Sequence, residues 1–235
     1  MPRVKKRPAA EPPEVVRSEW LRRVQAEYQS AAITGQLSHW LIQLGAPGAL
    51  IRMALRIVAD ELRHAELSDR VYRAAGGSSQ ATLARDRLEL PRAAGSLEHD
   101  LTRVVVQTYC LGETAAVRLF SRMRHGCSVR VARAALDRVL RDEVRHRDFG
   151  WRSLEWLLEL PDGPARRADI QRALPELVAT LRENYAPETP PPATDFPAAA
   201  RVWGLIPLVD YRDAVELCIT RDLRPRFARL QIHMA

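Results

Sequence analysis

Apolar positions along this chain recur with the 3.6-residue period of helices, and no stretch shows the alternation of a half-buried strand. Ser18 can cap a first helix running to about Leu44, with Trp20, Val24, Glu27, Ala31, Thr34 and Leu41 on or near one face. Gly45-Ala46-Pro47-Gly48 is a run of turn formers and predicts a tight hairpin. The second helix then spans about Ala49 to Ala75, with Ile51, Leu55, Val58, Leu62 and Leu67 apolar, and Gly76-Gly77 ends it. Ser96 can cap a third helix carrying Leu101, Val104, Val105, Thr108, Leu111, Ala115 and Leu119. His125-Gly126-Cys127-Ser128 separates it from a fourth, about Val129 to Leu160, which stops at Pro161-Asp162-Gly163. A fifth helix is expected over about Ala165 to Asn184, and a last over about Val209 to Ile232 with a kink or break at Pro225.

The chain therefore reads as all-α, in three parts. Residues 1–17 hold Lys5, Lys6, Pro8, Pro12 and Pro13 without periodicity and read as a disordered tail. Residues 18–160 form a four-helix bundle. Residues 161–235 form a C-terminal helical extension with a stiff Pro-rich linker over 186–197. Residues 76–95, between the second and third helices, make a long loop for a compact domain. Extended chain reaches about 3.3 Å per residue, so this segment can run the length of a bundle as a single long crossover.

Within the bundle the chain repeats itself. Asp60-Glu61-Leu62-Arg63-His64 returns as Asp142-Glu143-Val144-Arg145-His146, and each copy follows a lone glutamate, Glu27 or Glu113. Glu at i and His at i+3 share a helical face. Four carboxylates and two imidazoles in this pattern are the ligand set of a dimetal centre within a four-helix bundle. Axial spacing allows them to meet. Glu27 lies 19 residues before the first turn at Ala46 and Glu61 15 after it, roughly 28 and 22 Å away at 1.5 Å per residue. Glu113 and Glu143 lie 14 and 16 residues from the second turn at Cys127, roughly 21 and 24 Å.

The chemistry of the core points the same way. Four carboxylates among apolar neighbours cannot all stay ionised without cations between them. Two divalent ions balance four carboxylates, and mixed carboxylate and imidazole ligation suits iron or manganese. Asp60 and Asp142 face about 100° from the glutamates and are expected to hold the imidazoles instead, Asp142 with His64 and Asp60 with His146. Arg63 and Arg145, three residues further on, are placed to pair with those aspartates.

These residues resemble the ferritin-like di-iron carboxylate superfamily over about residues 18–160. Glu27, Glu61-x-x-His64, Glu113 and Glu143-x-x-His146 stand where its six ligands stand. The D-E-x-R-H form looks like that of hydroxylase subunits of bacterial multicomponent monooxygenases and related oxidases. The resemblance implies a ferritin-like four-helix bundle with one long crossover plus additional C-terminal helices. It implies an O2-dependent oxidoreductase: two Fe ions, with Mn or mixed Mn/Fe in some members, a small organic substrate, and electrons from a reductase or ferredoxin. Hydroxylation, N-oxygenation, desaturation and C–C cleavage are all within that class. The alternatives are a ferroxidase handling iron and a tRNA-modifying hydroxylase. The chain is far shorter than a multicomponent hydroxylase subunit, lacks a rubredoxin-like module and, unlike ferritins, has the second Glu-x-x-His.

Composition narrows the setting. The net charge is +7, nearly all from arginine, and no basic run is interleaved with aromatics, so nucleic acid is not the expected partner. Cys110, Cys127 and Cys218 are far apart with no C-x-x-C, which fits a reduced cytoplasm. No apolar run reaches the ~18 residues of a membrane span, and the N-terminus leads to Pro and Glu rather than to an apolar leader. A homodimer is compatible with all of this. Tyr109, Cys110, Thr108 and Thr114 lie near Glu113 as candidate pocket residues, with a core tyrosine and an inert thiol as the plainer readings. His39 and His125 each stand 12 residues beyond a candidate glutamate, roughly 18 Å along the axis and out of reach.

Overall fold

The computed structural model describes residues 12–93, 95–185 and 197–234, and among them every regular element is helical. Helix α1 (Glu14–Gln43) starts earlier than expected. Pro13 takes the position before it, Glu14 meets the positive helix end, and Arg17 pairs with Glu14. Val16 is fully buried, which anchors this first turn. The expected tail over 1–17 is therefore helical from Glu14, while residues 1–11 lie outside the described residues. Ser18 is inside the helix, its hydroxyl donating to the Glu14 carbonyl at 3.1 Å, and does not cap it.

The turn to α2 (Gly48–Ala74) is tight because Gly45 adopts φ +65°, closing α1 with Ala46 N–H to Leu41 C=O and Gly45 N–H to Ile42 C=O. Gly76 and Gly77 close α2 in the same way on Arg73 and Tyr72. The connection that follows runs along α1. Gln25 holds the Thr82 carbonyl at 3.0 Å, and Gln36 holds both the Leu88 carbonyl (3.1 Å) and the Leu90 N–H (2.7 Å). Among its described residues the one helical turn is Arg85–Arg87.

The third rod is continuous but not uniform. It comprises α3 (Leu97–Val104), capped by Ser96, then a π-helical stretch Val105–Glu113, then α4 (Thr114–Gly126). Helix α5 (Arg130–Glu159) lies against α2 on one side and against this rod on the other. The extension adds α6 (Gly163–Tyr185), the short α7 (Ala198–Arg201) that periodicity did not indicate, and α8 (Leu208–Cys218). The expected last helix is interrupted: a π-turn Ile219–Leu223 joins α8 to α9 (Arg224–Arg229), with Pro225 in the first turn of α9, where its missing N–H is tolerated. The Pro-rich linker falls, but for Pro197, outside the described residues.

The extension is fastened to the bundle. Helix α8 packs along α4, Arg118 forks onto Asp222 at 2.6 and 3.0 Å, and Val202 C=O accepts from the N–H groups of Ser128 and Val129. Trp20 donates to the Trp203 carbonyl at 3.1 Å, and Trp151 packs edge-on against Phe227. No helix among the described residues is long and apolar enough to cross a membrane.

Candidate metal centre

Four rods bring the repeated motifs to one level. Glu27 comes from α1, Glu61 and His64 from α2, Glu113 from the end of the π-stretch, and Glu143 and His146 from α5. All six are buried, the two lone glutamates least so. Two groups form, Glu27 with Glu61 and His64, and Glu61 with Glu143 and His146, their ligand atoms within 4.8 Å of one another in each. Glu61 belongs to both. Glu113 is outside these groups but hydrogen-bonds Glu143. The Nδ1 atoms of both histidines face the carboxylates: His64 Nδ1 is 3.1 Å from Glu61 and 3.8 Å from Glu27, and His146 Nδ1 is 3.3 Å from Glu143 and 3.5 Å from Glu61. The Ser30 hydroxyl donates to Glu61 at 2.8 Å.

A second layer crosses between α2 and α5. His64 Nε2 lies 3.2 Å from Asp142, and His146 Nε2 3.5 Å from Asp60. Arg145 reaches both aspartates, at 3.0 Å to Asp60 and 2.5 Å to Asp142. Arg63, expected to do the same, points to solvent and pairs with Glu66 at 3.3 Å. Its place is taken by Arg138, which donates to Asp142 at 2.5 Å and to Asp60 at 3.3 Å. The sequence signal for Arg138 was its position one turn before Asp142, outside the repeated motif; Ser30 had no comparable signal.

The electrostatics follow from crowding acids and imidazoles in a dry core. Burial, then the charges of Glu61 and Glu143, pushes Glu27 well above the usual carboxylate range. Burial and Glu143 do the same to Glu113. Burial would raise Glu143 too, but His146 beside it prevails and holds it at about 2. Burial opposes charge on His64, yet Asp142 and Glu61 on its two nitrogens raise it to about 10. His146 is likewise raised, against its burial, by Glu143 and Asp60. Asp142, despite burial, is held below its ordinary value by His64 and the two arginines.

The π-stretch positions the remaining candidates. Tyr109 is fully buried, packs edge-on against Phe149 and shares a 2.7 Å hydrogen bond with the Thr34 hydroxyl; burial, then the charges of Glu113 and Glu61, raises its own hydroxyl. Cys110 is fully buried, and burial raises its thiol well above its ordinary value, with Arg226 opposing and Glu155 adding to the rise. The wider π-turn rotates a residue three positions back further from the ligand than an α-turn would. Thr114 donates to the Cys110 carbonyl (2.6 Å) and accepts from Trp151 Nε1 (3.2 Å), so its hydroxyl is engaged in helix packing. Thr108 is half-buried in the same stretch. Tyr185, at the end of α6, had no sequence signal; it packs against both parts of the hydrophobic core, and burial, then Glu113 and Glu143, raises its hydroxyl.

The residues fit a metal. Glu143 Oε2 and both ring nitrogens of His146 are buried with no hydrogen-bond partner, an arrangement costing about 1–3 kcal/mol per atom if nothing satisfies it. A cation among Glu61, Glu143 and His146 would satisfy Oε2 and Nδ1 together. Oxygen and imidazole donors without thiolate suit a divalent first-row ion. Two surface grooves, of about 810 and 540 Å3, lie elsewhere and are lined by none of the six residues; Thr114 borders the larger. Comparison with known proteins adds no relative: no family model, curated protein or solved structure matches the chain.

Proposed function

We propose that this chain is a non-haem di-iron oxidase or oxygenase on a ferritin-like bundle, with α1, α2, the third rod and α5 as its four helices and the segment along α1 as its long crossover. The observation that carries the reading is the buried set Glu27, Glu61, His64, Glu113, Glu143 and His146, with both Nδ1 atoms turned inward and both Nε2 atoms turned to aspartates. When bound, the two ions supply the binding and reduction of O2 that oxidises a small organic substrate. The same donors accept manganese.

The chain's own groups do the rest. Glu61, common to both groups, is placed to bridge, and Ser30 orients one of its oxygens. Asp142 hydrogen-bonds His64 Nε2 and Asp60 faces His146 Nε2 at 3.5 Å, which leaves each Nδ1 turned to the carboxylates. Glu27 and Glu113 are the ligands least shielded from solvent, so substrate and O2 arrive on that side. Electrons come from a reductase or ferredoxin, and the three buried thiols suit a reducing cytoplasm.

The test is elemental analysis after anaerobic ferrous loading, then O2 consumption on mixing. About two irons per chain with O2 uptake is the expected result. Protein that takes up no metal would overturn the reading, and two ions without O2 uptake would retain the metal centre but remove the oxidase.

A further inference from the structure

The outer face between α2 and α5 lies directly over the histidine side of the site. Arg52, Arg56, Arg63 and Arg70 are exposed along α2, spaced by four, seven and seven residues, which keeps them on one helical stripe. Arg138, Arg141, Arg145 and Arg152 form the matching stripe on α5, spaced three, four and seven. Arg52, Arg56, Arg141 and Arg152 make no ion pair with any described residue, and Arg63 and Arg70 share the single Glu66. Leu55, Leu62 and Val144 are exposed beside the stripes. Two of the arginines also lead inward. Arg138 and Arg145, with 38% and 37% of their side chains exposed, hold Asp60 and Asp142, which hold the Nε2 atoms whose Nδ1 partners face the carboxylates. Through Asp142 and His64 this is a hydrogen-bonded path of three side chains from surface to site, while Asp60 stands 3.5 Å from His146 Nε2.

We propose that the α2/α5 face is the docking surface for an acidic one-electron carrier of the iron–sulfur or flavin type; the inference rests on the oxidase reading. Hydroxylation by that reading takes one O2, two electrons and two protons, places one oxygen atom in the substrate and releases the other as water. Two carriers, each oxidised by one electron, supply the pair. Like charges oppose a second copy of this chain on the same face. Nucleic acid is disfavoured because neither α2 nor α5 exposes an aromatic residue for base stacking, whereas exposed leucines among arginines suit a protein contact.

The probe is an acidic plant-type [2Fe–2S] ferredoxin, its binding to the full chain measured by calorimetry at low salt on metal-free and iron-loaded protein. Wild type should bind, and R56E/R141E/R152E should weaken binding roughly tenfold or more, as should raised salt. The control R85E/R87E/R172E, an equal charge change on the crossover and α6, should weaken it far less. Far-UV circular dichroism checks that both variants are folded. The proposal is overturned if ferredoxin does not bind, if the control weakens binding as much, or if a single-stranded RNA binds more tightly and is lost with the same three arginines. It is equally overturned if sedimentation shows a dimer that R56E/R141E/R152E abolishes. Failure of the oxidase reading appears separately, as absent metal or O2 uptake, whereas failure of docking in protein that holds two ions and consumes O2 counts against this inference alone.

Discussion

Gly150→Ala tests whether close helix approach sets the site. Helix α5 crosses the π-stretch at Gly150, four residues after His146. A Cβ there would stand 2.5 Å from Tyr109 Cβ, 2.8 Å from the Tyr109 carbonyl carbon and 3.0 Å from Cys110 N. Ordinary carbon contacts are about 3.5–4.0 Å, and backbone cannot swing aside as a side-chain tip can. The two rods must separate by about 1 Å, an overpacking cost of about 1–3 kcal/mol. Alanine's better helix propensity returns up to about 1 kcal/mol. Backbone atoms at 2.8 and 3.0 Å put the cost in the upper part of that range, about 2–3 kcal/mol, so the net is a loss of about 1–2 kcal/mol, or roughly 2–8 °C in Tm for a chain of this size. The matched control is Gly35→Ala on α1, where a Cβ meets nothing within 4 Å; it should stabilise by up to about 1 kcal/mol. Thermal unfolding followed by circular dichroism reads both signs. Because α5 carries Glu143 and His146 while the π-stretch carries Glu113, the first variant should also bind metal less tightly. A Gly150→Ala protein that melts at or above wild type would refute the close-packing argument.

Glu61→Ala removes the carboxylate common to both ligand groups, so bound metal should fall from about two ions per chain to well below one, while the exposed Glu66→Ala on the same helix should leave elemental content unchanged. Asp142→Asn strips the charge that Arg138, Arg145 and His64 share; with both arginines partly exposed, the expected loss is about 2–3 kcal/mol at neutral pH by denaturant titration. Asp142 is depressed in the folded state, so its contribution is full above the ordinary aspartate range and is lost as pH falls through its lower folded value; metal-free Asp142→Asn should show a shallower acid limb than wild type. Metal binding should release protons, since His64, raised to about 10, holds one at neutral pH, and a cation opposes the burial that raises Glu27. Calorimetry in buffers of different ionisation enthalpy should find at least about one proton released per chain and an affinity rising with pH; uptake without release would contradict the charge assignment.

Local periodicity carried a large share of the architecture. The 3.6-residue apolar pattern, the Gly-rich turns at 45–48 and 76–77, and the Ser96 cap are short-range features, and the helices they mark stand close to where the pattern puts them. The all-helical character and the presence of each Glu-x-x-His pair on one helical face are of this kind, because three or four residues decide them. Other features depend on partners remote in the chain. The π-stretch at 105–113 and the π-turn at 219–223 leave no mark in the apolar period, since their hydrogen-bond shift depends on packing, as Thr114 taking the Cys110 carbonyl under Trp151 shows. Within that stretch Tyr109 meets Thr34 of α1, a partner 75 residues away. Arg63 and Arg145 occupy the same place in the repeated motif, yet only Arg145 holds the aspartates. Which arginine reaches inward depends on the crossing of α2 and α5 and on Arg138 already filling the space, and that is a property of two surfaces meeting. The residue types able to hold a metal were thus written in the chain; the burial that leaves the His146 ring nitrogens and Glu143 Oε2 without hydrogen-bond partners, and so wanting a cation, exists only once four helices close around them.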